Sequence, residues 1–259
     1  MSDRRPIVAA NWKMNKTPAE TTEFFNAFLP KFGDSCGSDA VIVPPFTSIP
    51  AAAEALSGNS VVGLGAQNMH NEANGAYTGE ISAAFLNALN VGYVVLGHSE
   101  RRAIFGESDE FINQKVLAAL AAGLTPILCI GESLEERKSG KLEAVCRTQL
   151  EGGLANVPAD QQTKIVIAYE PVWAIGTGEV ATPAQAQEAH AFSRSVVAEV
   201  FGVDNAAQIR IQYGGSMKPG NAAELMAQPD VDGGLVGGAS LDPDSFFEIV
   251  SAAAASVAG

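Results

Sequence analysis

Four polar side chains stand just past short apolar runs. Asn11 and Lys13 follow Ile7–Ala10, His98 follows Tyr93–Leu96, and Glu170 follows Ile165–Tyr169. Glycine pairs hold the same position twice: Gly214-Gly215, leading into Ser216, and Gly237-Gly238. A glutamate with an ordinary pKa of about 4.3 is ionised at neutral pH and can serve as a base. An imidazole, an ammonium and an amide can stabilise an oxyanion as it develops. Glycine lets backbone N–H groups come close to phosphate oxygens without a cationic side chain. Ser216 adds a donor, as does Gly176 in the loop after Glu170. His70 lies in a polar loop and His190 on a helix, so no metal-ligand cluster forms, and no nucleophile–base pair is evident. The chemistry that fits is removal of a proton from carbon beside a carbonyl, on a small phosphorylated substrate. Singly, each residue has an ordinary explanation: a solvated lysine, a structural histidine, half of an ion pair, a glycine turn. Their shared position after strands is what carries the reading.

Eight short runs must place these groups: Ile7–Ala10, Ala40–Val43, Val61–Leu64, Tyr93–Leu96, Pro126–Ile130, Ile165–Tyr169, Ile209–Tyr213 and Gly234–Val236. They are apolar throughout rather than alternating, as in parallel strands buried on both faces. Helix signals separate them. Thr17-Pro18-Ala19-Glu20 and Thr182-Pro183-Ala184-Gln185 are capping boxes with proline at the first helical position. A helix is predicted from Ser108, with Ile112, Val116 and Leu120 on one face and a stop at Gly123. The C-terminal SAAAASVAG reads as the frayed end of the last helix. With 259 residues, the pattern predicts an α/β fold, a (β/α)8 barrel forming one domain over 1–259. A doubly wound sheet would carry GxGxxG after its first strand; here that strand runs into AANWKMNK. Active sites of such barrels lie at the carboxyl ends of the strands, and the loops after strands seven and eight often bind phosphate.

The net charge of −13 leaves no basic footprint for nucleic acid or an anionic membrane surface. It also repels an anionic substrate at long range, so local donors must overcome it. The sequence places no cation other than Lys13 near the site. Cys36, Cys129 and Cys146 form no CxxC pair and read as reduced thiols. The N-terminus has no apolar signal core and no run approaches a membrane span, so a cytoplasmic protein is expected.

The stretch Ala168–Gly178, AYEPVWAIGTG, is unusually apolar for a loop. Pro171 stiffens one end and Gly176-Thr177-Gly178 frees the other, as in a moving wall that excludes water from the base. With NWKMN at 11–15, GHSERR at 97–102, CIGE at 129–132, YGGS at 213–216 and VGGASL at 236–241, it resembles the triosephosphate isomerase family over nearly the whole chain. The resemblance implies interconversion of glyceraldehyde 3-phosphate and dihydroxyacetone phosphate without cofactor or metal. Glu170 would be the base, His98 the neutral electrophile and proton carrier, Lys13 and Asn11 the groups that pair with and orient substrate. Backbone N–H groups of Gly176, Ser216, Gly237 and Gly238 would hold the phosphate, and Glu100 would neighbour Lys13. Lid closure is an established property of that family. The polar loop Gln67–Glu80 would reach into a partner subunit with Thr78 near the other site, giving a homodimer. The chain departs from the family pattern at Ala9-Ala10 and at Lys16, where glycine is common. The alternatives are another phosphate-binding barrel enzyme and a barrel that binds ligand without catalysis.

Overall fold

The computed structural model describes residues 4–32, 37–175 and 179–258. Eight parallel strands run in chain order: β1 (Ile7–Asn11), β2 (Asp39–Val43), β3 (Val62–Ala66), β4 (Tyr93–Leu96), β5 (Thr125–Ile130), β6 (Val166–Tyr169), β7 (Arg210–Tyr213) and β8 (Gly233–Val236). β8 pairs back onto β1, so the sheet closes as a barrel with helices outside. Every predicted run is a strand. The largest displacement is at β3, which continues through Gly65 and Ala66 because these small residues pair with Tyr93 and Val94.

Burial of both strand faces explains the unbroken apolar runs. Ile7, Ala9, Val95, Val166, Ala168 and Leu235 fill the barrel interior. Their neighbours Val8, Ala10, Leu96, Ile167, Tyr169 and Val236 pack outward against the helices. This alternation aims the polar residues. On β6, Val166 and Ala168 point inward, so Glu170 follows on the inward phase; on β1 the same count brings Asn11 inward. On β4, strict alternation would send His98 outward. Gly97 interrupts it with φ +70, and its carbonyl accepts from Arg102 Nε at 2.7 Å.

The capping boxes at Thr17 and Thr182 form as expected, each threonine accepting from the third helical N–H, and a third box forms at Ser133 with Glu136. The helix predicted from Ser108 spans Asp109–Ala121. The last helix, Pro243–Ala258, does not fray where expected: it continues through the alanine run, with Ala253 fully buried. No helix among the described residues is long and apolar enough to cross a membrane.

His190, on the helix Pro183–Phe201, is buried between Tyr169 and Tyr213, with ring centroids 5.7 and 6.3 Å away. Its Nδ1–H donates to the Asp230 carbonyl at 3.1 Å. Burial, aided by the Arg194 charge and opposed by the Asp230 carbonyl, pushes its pKa down to about 4. Above the ordinary histidine pKa of about 6.5, neither folded nor unfolded chain holds this proton. Below it, the unfolded chain takes up a proton that the folded chain refuses. Stability therefore falls as pH drops from about 6.5 toward 4, by up to roughly 3 kcal/mol from this group. Urea unfolding near pH 7.5 and pH 5 should show a smaller pH-dependent loss in a His190→Gln variant. Equal losses in both proteins would contradict the assignment.

Candidate active site

At the carboxyl end of the barrel lies a cavity of about 440 Å³. Asn11, Lys13, His98, Glu170, Ser216, Gly237 and Gly238 all line it. Gly176, expected among the phosphate-holding residues, lies outside the described residues, as does Cys36. The same wall includes Ile175 from the expected lid, Leu235, and Lys218, a second cation that sequence reasoning did not place there.

Glu170 is 2% exposed. Its Oε2 accepts from the Ser99 N–H at 2.9 Å, and its Oε1 accepts from Ser99 Oγ at 3.1 Å. His98 Nε2 lies 3.0 Å from the same Oε1. Ser99 opens the helix Ser99–Phe105, where N–H groups lack partners within the helix and face an anion favourably. Burial alone pushes the Glu170 carboxyl upward. The His98 ring and the two Ser99 donors outweigh it and hold the carboxyl below its ordinary value. The base is thus charged, ordered and held by three donors.

The backbone around Glu170 has little slack. Its N–H donates to the Ile130 carbonyl at 2.7 Å, and the Val172 N–H donates to the Glu132 carbonyl at 3.1 Å. A Cβ on Gly214 would come within 2.9 Å of Glu170 Cγ. The glycine pair after β7 therefore makes room for the base, in addition to any part in holding an anion.

His98 Nδ1 accepts the Glu100 N–H at 3.2 Å. That bond leaves Nε2 to carry the donating proton, so the contact with Glu170 is a hydrogen bond. The Nε2–H is the group that can turn to a substrate oxygen.

Lys13 sits in the left-handed region at φ +54. For a residue with a Cβ this costs about 1–2 kcal/mol. Two side chains brace the turn: Asn11 Oδ1 accepts the Lys13 N–H at 3.2 Å, and Gln67 Nε2 donates to the Lys13 carbonyl at 2.8 Å. Gln67 was expected only as the start of the dimer loop, so its support of Lys13 is new. The Lys13 ammonium pairs with Glu100 Oε1 at 2.6 Å, and its Cε lies 3.8 Å from the point a Cβ on Gly237 would occupy. The side chain thus crosses toward the glycine end of the cavity.

The apolar loop begins as a short 3-10 turn, Val172–Ala174. Trp173 Nε1 donates to Glu132 at 2.9 Å, and the Tyr169 hydroxyl donates to the same carboxylate at 3.0 Å. Glu132 is fully buried, which pushes its carboxyl up against the lowering effect of these donors. Gly176-Thr177-Gly178, read as the hinge, falls outside the described residues. Gly238 opens another 3-10 turn, Gly238–Leu241, at the cavity edge. The first amides of such a turn are free to meet an anion.

A barrel with this carboxylate and imidazole beside glycine-rich turns falls in the class of phosphate-handling barrels that work by acid–base chemistry. Comparison with known proteins narrows the class. Residues 6–253 match the family model described as triosephosphate isomerase. Proteins of that name from Symbiobacterium thermophilum and Chloroflexus aurantiacus are 57% and 53% identical, over 97% and 95% of this chain and 98% of each relative. A third, from Carboxydothermus hydrogenoformans, is 53% identical over 95% of this chain and 98% of its own length. The chain belongs to the triosephosphate isomerase family.

Proposed function

We propose that this protein interconverts D-glyceraldehyde 3-phosphate and dihydroxyacetone phosphate through an enediolate, in glycolysis and gluconeogenesis, as a cytoplasmic enzyme of one domain. The observation that carries the reading is the joint lining of one cavity by Glu170, His98, Lys13 and Asn11 with Ser216, Gly237 and Gly238. The phosphate lies against the glycine turns, where backbone donors bind it in a strongly acidic protein. The carbonyl oxygen takes the His98 Nε2–H that Glu170 now accepts. Freed from His98 and Ser99, the carboxylate removes a proton from the carbon beside the carbonyl and returns it to the neighbouring carbon. His98 moves protons between the two oxygens, while Lys13 and Asn11 stabilise their negative charge. Closure of the apolar loop excludes water, which strengthens each of these interactions and protects an intermediate that could lose its phosphate.

Turnover of glyceraldehyde 3-phosphate by purified protein, coupled to reduction of the product, tests the proposal. Binding of a phosphate ligand without turnover would instead favour a non-catalytic barrel.

The protein acts as a homodimer through the loop Gln67–Glu80. Met14, beside Lys13, is 95% exposed, and Tyr77 and Phe85 stay open beside a cavity of about 320 Å³. Apolar side chains left open in this way suit a second copy of the chain. Light scattering at micromolar concentration decides this; a monomer there would contradict it.

A further inference from the structure

Gln149, on the helix Leu142–Gly153, spends both ends of its carboxamide on one residue. Its Oε1 accepts the Gly131 N–H at 2.7 Å, and its Nε2 donates to the Gly131 carbonyl at 3.3 Å. The sequence gives no hint of this pairing, and the chemistry proposed for the cavity does not use it.

Gly131 is where the base has least room. A Cβ there would fall 1.8 Å from the Glu170 carbonyl oxygen, and its φ is +152. The hydrogen bonds on either side of this contact also lead to the base segment: Ile130 accepts from Glu170 and Glu132 accepts from Val172. The Glu132 side chain then holds the Tyr169 hydroxyl and Trp173. Residues 130–132 form a cradle from which the base and the root of the apolar loop both hang. Gln149 fixes the middle peptide of that cradle from the helix layer.

We propose that Gln149 is a positioning residue for the base: through Gly131 it sets where Glu170 stands and how the loop root is seated. The inference rests on the reading of Glu170 as the base. A side chain that only satisfied two backbone groups would affect folding stability alone. A side chain that registers the base affects the chemical step, because a displacement of about 1 Å can cost about 100-fold in rate.

The test compares wild type with Q149M, which loses both hydrogen bonds, Q149N, which is one methylene too short, and Q149E, which keeps the acceptor for the Gly131 N–H. Expected are kcat values lowered about 10- to 100-fold in Q149M and Q149N, with KM within about twofold of wild type. Inhibition by inorganic phosphate should stay at its wild-type strength, and Q149E, which keeps the bond from the Gly131 N–H but turns its second carboxylate oxygen toward the Gly131 carbonyl, should also fall short of wild-type kcat. Should Q149M not fold, Q149N carries the comparison. A wild-type kcat in Q149N or Q149M, whatever its melting temperature, overturns the proposal. So does a loss of phosphate inhibition in step with kcat, the mark of general loosening. Absence of turnover in wild type would count against the isomerase reading itself, a result distinct from either.

Discussion

Replacing Glu170 with glutamine is expected to lower kcat by about 10²–10⁴-fold, the range for a positioned acid–base group. A transition-state-like phosphate ligand should still bind, because the glycine turns and Ser216 are untouched. The hydrogen bonds around Glu170 add a second effect. The carboxylate accepts three, from the Ser99 N–H, the Ser99 hydroxyl and His98 Nε2. A glutamine must aim its NH₂ at either the Ser99 amide or the His98 side of this set. The amide cannot reverse its role, and the ring tautomer is fixed by Glu100. One donor therefore faces another, costing about 1–3 kcal/mol of stability. Rate, ligand affinity and melting temperature measured on one preparation separate the two effects. Unchanged kcat would mean that the base lies elsewhere. Because the wild-type carboxyl is held below its ordinary value, Glu170 remains a base down through mildly acidic pH. A fall in kcat/KM near pH 6 would report the substrate phosphate, whose second pKa is about 6, rather than this glutamate.

Lys13→Ala is expected to lower kcat/KM by about 10²–10³-fold, the range for loss of one preorganised oxyanion-stabilising group. Stability should change by less than about 1 kcal/mol through the ion pair, since Glu100 is partly exposed and surface pairs contribute little. Lys218 lines the same cavity but cannot substitute. It follows β7, on the side of Ser216, and is exposed. Lys13 instead starts from β1 on a turn braced by Asn11 and Gln67. Steady-state kinetics at low and high salt check the point. Near-normal kcat/KM in the variant would remove Lys13 from the electrostatic scheme.

The fold was largely legible because parallel strands buried on two faces must be apolar at every position, and few other elements look like that. Strand ends were less so: Gly65 and Ala66 carry no strand propensity and join β3 only through their partners on β4. The polar residues of the site could be found because they interrupt apolar runs at one end of each unit. What holds them could not. Ser99 and Glu170 are 71 residues apart, Gln67 and Lys13 are 54, and Gln149 and Gly131 are 18. Such pairings depend on how helices dock and which rotamers packing allows, and no local pattern encodes that. Lys218 was missed for a simpler reason: an exposed lysine after a glycine turn looks like any solvated charge.

The alternation along β6 also bears on how this chain can change over generations. Tyr169 is locked between Ile130 and Tyr213 in a sheet that has no free edge. Adding or deleting one residue within the strand would turn Glu170 toward the helices and drive Tyr169 into the barrel, and no edge strand could slide to absorb the slip. Point substitutions on the outer helix faces leave that phase intact, and the outer loops can lengthen without altering it. The lineage is therefore free to drift in composition while the spacing from strand to base stays fixed, one residue past Tyr169.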